Sequence, residues 1–90
     1  MDDLELRTSD GRSAFEYFSI PITCDDDRII KAKYRIKALN VHPDKNPYRL
    51  EWANQEFKVA NTLYHYIDTA AHRQIYKYCL MNNVKYDVDM

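Results

Sequence analysis

A single glycine, Gly11, in 90 residues sets the strongest limit on what this chain can fold into. Glycine is the residue that takes up left-handed turns at low cost, so a sheet built from tight hairpins would have almost no turn residues to draw on. Helices joined by polar or proline-marked loops are the alternative, and the chain carries the punctuation for four of them. Ser13 and Glu16 have the S-x-x-E spacing of a capping box, in which each side chain satisfies a free backbone N–H of the other residue. A short helix from about Ser13 to Phe18 follows, with Phe15 and Phe18 as core contacts, and Pro21 ends it. Asp25, Asp26 and Asp27 offer an N-cap and first-turn carboxylates to the positive end of a second helix. That helix runs to about Val41, because Pro43 disfavours helical geometry at His42 and removes a backbone donor.

The strongest periodic signal lies further on. From Tyr48 or Arg49, the residues Ala53, Phe57, Ala60, Leu63, Tyr64 and Ile67 recur in steps of three and four, which places one apolar stripe on one face of a third helix. A short fourth helix from about Thr69 to Met81 brings Ile75, Tyr76 and Cys79 or Leu80 to the same core, and the remainder to Met90 reads as a tail. The expected organisation is an extension over 1–12, one domain over 13–80 and a tail over 81–90.

At about 100° per residue the second helix has two kinds of stripe. Arg28, Lys31 and Arg35 share one face, and Ile30, Tyr34, Ala38 and Val41 share another. A third stripe, Ile29, Ala32, Ile36 and Leu39, lies beside the basic one, with Lys33 and Lys37 interrupting what would otherwise be a broad core face. Either both apolar stripes are partly buried, with lysine stems snorkelling between them, or the third stripe is an exposed partner site; partial burial is the expected arrangement. Charged helix faces are usually solvated surface and no more. Three cations in line that lead to a helix end marked His42-Pro43-Asp44 instead favour an acidic partner surface.

Composition then narrows the function. The chain is 46% apolar and 30% charged, as expected for a soluble globular domain. A domain of this size buries only about 60% of the surface its unfolded chain exposes, too little for an enclosed catalytic cleft. Net charge of −1 argues against attachment to nucleic acid or an acidic membrane by bulk electrostatics. Cys24 and Cys79 are too few and too far apart for a disulfide framework, and the charged start from Met1 to Thr8 does not read as a signal peptide. Cytosol or nucleus is therefore the expected compartment. The apolar runs fall short of the roughly 20 residues a membrane-spanning helix needs.

One glycine rules out a glycine-rich phosphate loop, and no Cys/His or Ser/His/Asp arrangement supports catalysis. His65 and His72 read as surface residues, and with the two cysteines they lack the close ligand pairs of a structural zinc site. No enzyme activity, metal or cofactor is expected. Trp52 lies off the third-helix stripe and is expected to be partly buried in the loop.

The order of short helix, basic helix, His42-Pro43-Asp44-Lys45-Asn46-Pro47 turn and long amphipathic helix resembles a J-domain, the DnaJ-type (heat-shock-40) cochaperone module. The segment Ile30-Lys31-Ala32-Lys33-Tyr34-Arg35-Ile36-Lys37-Ala38-Leu39 is similar to the family's I-K-x-x-Y-R-x-x-A-L. Phe57, Tyr64 and Ile67 fit its third helix, and Arg73 with Tyr76 its K-R-x-x-Y stretch, so that the likeness covers roughly 13–78. It departs from the pattern at Ser19, where a glycine is usual, and at Lys37 and Lys33, where apolar and small residues are usual. The connection from His42 to Phe57 is one residue longer than common. The type III, or subfamily C, members, which keep only this domain and differ elsewhere, are the expected place for the chain, and a viral T-antigen-like J-domain is a more distant likeness.

The resemblance implies an all-α, four-helix fold with a central antiparallel hairpin of the second and third helices joined by the His-Pro-Asp loop. It also implies docking onto a DnaK-type (heat-shock-70) ATPase chaperone and stimulation of its ATP hydrolysis. By position the contacts would be Lys31, Tyr34, Arg35, His42, Pro43 and Asp44, with Arg28, Lys45 and Asn46 more loosely. The domain would act as a monomer with no cofactor and no nucleic acid, and clients would bind outside this chain. Two rivals come from other classes: a scaffold of the same fold that stimulates no ATPase, and a helical nucleic-acid binder.

Overall fold

The structure is a computed structural model that describes residues 6–86. Four helices follow in order, α1 (Ala14–Tyr17), α2 (Asp27–Asn40), α3 (Leu50–Ile67) and α4 (Ala70–Asn82), with a 3₁₀ turn at Pro43–Lys45 between α2 and α3. Among the described residues the one extended pairing is an isolated bridge from Arg7 to Ser13. Gly11, at φ +90°, closes the turn that makes this bridge possible.

The starts of three helices are written in their caps. Ser13 accepts from the Glu16 N–H while the Glu16 carboxylate accepts from the Ser13 N–H, completing the capping box of α1. Asp26 accepts from the Arg28 N–H at 2.9 Å and Thr69 from the His72 N–H at 3.2 Å, each satisfying a backbone donor that the helix cannot. The Arg28 N–H is also the chief reason that the Asp26 carboxyl is held below its ordinary range.

Each helix then contributes one face to a common core. Phe15 and Phe18 of α1 and its C-cap, Ile30 of α2, Ala60, Leu63 and Ile67 of α3 and Tyr76 of α4 are all buried together. Tyr76 is the keystone: its ring stacks on Tyr66 at 4.9 Å and packs on Phe15 at 5.9 Å. Its hydroxyl accepts from the Ala14 N–H at 2.9 Å and donates to the Leu6 carbonyl. Burial raises the Tyr76 hydroxyl pKa and keeps it neutral. Leu6 thus packs on the core from within the stretch expected as an extension. From the stretch expected as a tail, Tyr86 packs edge-on against Tyr66 at 4.7 Å.

Two expectations about faces are overturned. The Ile29, Ala32, Ile36 and Leu39 stripe is not buried: Ile29 is 48% exposed, Ile36 59% and Leu39 56%, and Ala32 is exposed as well. The reason is that the buried Ile30 and Val41, with Tyr34 stacked on Tyr64, mark the inward side of α2, and the stripe lies on the opposite side. Ile75 likewise is 37% exposed, because Arg73, Tyr76 and Cys79 define the inward face of α4. Trp52 sits on the first turn of α3 rather than in the loop, 37% exposed beneath the Arg49 guanidinium, which lies 3.9 Å from its ring centroid.

Arg73 is a buried charge, 2% exposed, that ties three elements together. It donates to the Ile67 carbonyl at 2.9 Å and the Asp25 carbonyl at 3.4 Å, and reaches the Asp27 carboxylate at 2.7 Å. The Asp27 side chain is 61% exposed, so water competes for the ion pair, whereas the carbonyls have no such substitute donor.

Two stability outcomes follow. Arg73→Leu should cost about 3 kcal/mol, in the range for breaking a buried charged network, while Asp27→Asn should cost less than about 1 kcal/mol in urea unfolding; equal losses would contradict this division. Ser19 sits at φ +58°, a left-handed conformation that costs a non-glycine residue about 1 kcal/mol. Ser19→Gly should therefore raise the melting temperature by a few degrees, and a lower melting temperature would show that the position carries no strain.

Candidate functional site

The reversal between α2 and α3 carries His42, Pro43, Asp44, Lys45 and Asn46, with Tyr34 and Arg35 lining the groove beside it and Arg28 and Lys31 further back along α2. Val41 caps α2 and is buried, which fixes where His42 leaves the helix. His42 takes extended backbone angles, φ −65° and ψ 139°, as the residue before a proline should. Pro43 then opens a single 3₁₀ turn, a position where its missing N–H costs nothing.

The His42 ring is held from two sides. Its Nδ1 accepts from the Asp44 backbone N–H at 3.1 Å, so the neutral ring carries its proton on Nε2. Its edge meets the Phe57 ring of α3 at 5.3 Å and 79°. Asn46 closes the turn from beneath, its side-chain amide donating to the Asn40 carbonyl at 3.0 Å and the His42 carbonyl at 2.9 Å. Main-chain bonds from Lys45 to His42 and from Asn46 to Pro43, both 3.0 Å, complete it.

The Asp44 carboxylate is the group left over. Its side chain is 93% exposed, with one carboxylate oxygen 3.8 Å from the His42 Nδ1. Lys45 beside it is exposed. The structure thus separates the candidate residues into those that face solvent (Asp44, Lys45, and Arg28, Lys31 and Arg35 along α2) and those engaged within the protein. Asn46 belongs to the second group through its two carbonyls. Tyr34 does too: its hydroxyl donates to the Asn61 amide oxygen and its ring stacks on Tyr64 at 4.2 Å, pinning α2 against α3.

One feature of the site was not read from the sequence. Tyr34, Arg35, Ala38, Leu39, His42 and Phe57 line an open apolar groove where α2 and α3 converge on the turn. Phe57 was legible only as a member of the α3 stripe. Its spacing from Ala53 gave no sign that its exposed edge would support the histidine.

The electrostatics of this face are one-signed. α2 carries five basic side chains against one acidic residue, Asp27, which is turned toward Arg73. Among the described residues no three His, Cys, Asp or Glu side chains are grouped to hold a metal ion, and no helix is long and apolar enough to cross a membrane.

Comparison with known proteins identifies the family. The family model described as the DnaJ domain matches residues 13–77. The human protein DnaJ homolog subfamily B member 2 is 41% identical over 64 residues, 71% of this chain and 19% of that protein. The DnaJ homolog subfamily C member 5 homolog of Drosophila melanogaster is 40% identical over 76 residues, 84% of this chain and 29% of that protein. The mitochondrial protein import protein MAS5 of Saccharomyces cerevisiae is 40% identical over 62 residues, 69% of this chain and 14% of that protein. The chain therefore spans less than a third of the length of these curated relatives. No solved structure gives a significant match. With its four helices in the expected order and the DnaJ domain matched from Ser13 to Lys77, the chain belongs to the DnaJ domain family.

Proposed function

We propose that this chain is a cochaperone module that docks onto a DnaK-type ATPase chaperone through α2 and the His42–Lys45 turn and stimulates ATP hydrolysis there. The observation that carries this reading is the Asp44 carboxylate, exposed on a turn that the His42 ring and the Asn46 amide hold in place. A carboxylate carried on a fixed backbone corner offers an acceptor to a cation or N–H donor on a partner, with little backbone freedom left to lose. Arg28, Lys31 and Arg35 form the electrostatic approach, raising the encounter rate against an acidic surface more than the final affinity.

The module supplies no chemistry of its own. It binds more tightly to the partner state in which the partner's catalytic groups are aligned, and that difference in affinity shifts the partner toward hydrolysis. Tyr34 and Asn46 serve as positioning residues, the first holding α2 on α3 and the second holding the turn. Cys24 and Cys79 as free thiols support a place in the cytosol or nucleus, and client recognition is assigned to regions outside this chain.

Steady-state ATP turnover by a DnaK-type chaperone, with and without this chain, tests the reading. Wild type should raise turnover, and Asp44→Asn or His42→Gln should abolish that rise or shift its half-maximal concentration at least about tenfold, as loss of one partner in an interfacial charge contact does. Far-ultraviolet circular dichroism of both variants should match wild type. Equal stimulation by wild type and both variants would contradict the proposal.

A further inference from the structure

The exposed stripe on α2 remains unexplained by the charges that surround it. Ile29, Ala32, Ile36 and Leu39 occupy the centre of the helix's outward face, and the three large residues among them are 48–59% exposed. Scattered apolar residues on a surface require no cause, but several aligned along one helix form a patch of the kind that marks an interface. Cations border it on both sides. Arg28, Lys31 and Arg35 flank one edge and Lys33 the other, all exposed. Lys37, beyond Lys33, is drawn away over the Tyr17 ring, 4.5 Å from its centroid. The one carboxylate of α2, on Asp27, is turned to Arg73. The stripe is also continuous with the groove at the turn, because Leu39 lines both.

We propose that this stripe is a specificity contact for the same ATPase chaperone, whose matching surface carries apolar side chains between rows of carboxylates. The inference rests on the docking reading given above and adds to it the chemistry that selects the partner. Charge complementarity sets the occupant. A surface that met only the cations would leave three aliphatic side chains against polar groups. A purely apolar surface would strand cations on both flanks. An acidic surface with an apolar centre satisfies both, and it separates the two roles: the flanking charges steer from a distance, and the stripe contributes only at contact.

That separation is measurable. The probe is a DnaK-type chaperone whose ATP turnover the wild-type chain raises. The double variant Ile29→Ser, Ile36→Ser should keep its helical content, since neither residue is in the core, and should need about tenfold more protein for half-maximal stimulation, the change that burying one such side chain produces. The loss should persist between 50 and 500 mM salt, because apolar contact is not screened, whereas the weaker action of Lys31→Glu should fade over that range. Half-maximal stimulation by the double variant at the wild-type concentration would overturn the stripe's role and leave the docking reading intact. An Asp44→Asn control as active as wild type would overturn that reading and the inference built on it. Sedimentation of wild type, but not of the double variant, with phosphatidylserine vesicles, together with unchanged stimulation, would assign the stripe to a lipid surface and overturn the proposal.

Discussion

Asn46 donates to two carbonyls, one from the last turn of α2 and one from the histidine that follows it, and the geometry of the candidate site depends on that clasp. Helices end with carbonyls that have no intrahelical donor. Here the unmet acceptors are used to hold the outgoing chain at a fixed angle to the helix. The same reversal brings His42 onto Phe57, so that the packing of α2 on α3 and the conformation of the turn reinforce each other. Tyr34 stacked on Tyr64 two turns away fixes the relation of the two helices at a second point. A single exposed carboxylate is thereby carried on a rigid corner, with cations leading to it along α2.

Stability and site are built from different parts of the molecule. The core lies toward α1, α4 and the adjoining halves of α2 and α3, around Tyr76, Ile30, Leu63 and Ile67. Arg73 ties α4 to the start of α2 and the end of α3, far along α2 from its His42 end. Substitutions at Asp44 or along the outward face of α2 therefore touch no core contact, and loss of function there is separable from loss of fold.

Much of this was legible in the sequence because the signals are local. The capping box at Ser13, the carboxylate run before α2, the proline after His42 and the α3 stripe each act through neighbours a few positions away, and the first three helices follow where these signals place them. The outward turn of the Ile29 to Leu39 stripe was not legible, because periodicity says which residues share a face and is silent on which face meets a neighbour. Lys33 and Lys37 looked like interruptions of a buried surface; Lys37 instead bends over Tyr17 and Lys33 stands in water. The inward engagement of Asn46 and Tyr34 was hidden for a similar reason, since both depend on partners that only the tertiary packing supplies. Nor does sequence pattern reveal that an arginine on α4 is buried, when its carbonyl partners at Ile67 and Asp25 are main-chain atoms.

The most direct measurement is the footprint of the partner on the chain itself: backbone amide signals of the isotope-labelled chain, followed by nuclear magnetic resonance as an ATP-bound DnaK-type chaperone is added. Selective broadening along Lys31 to Leu39 and through His42 to Lys45, with α4 unaffected, is the expected result. Broadening centred on α4 or α1 while the turn stays sharp would contradict docking through this corner.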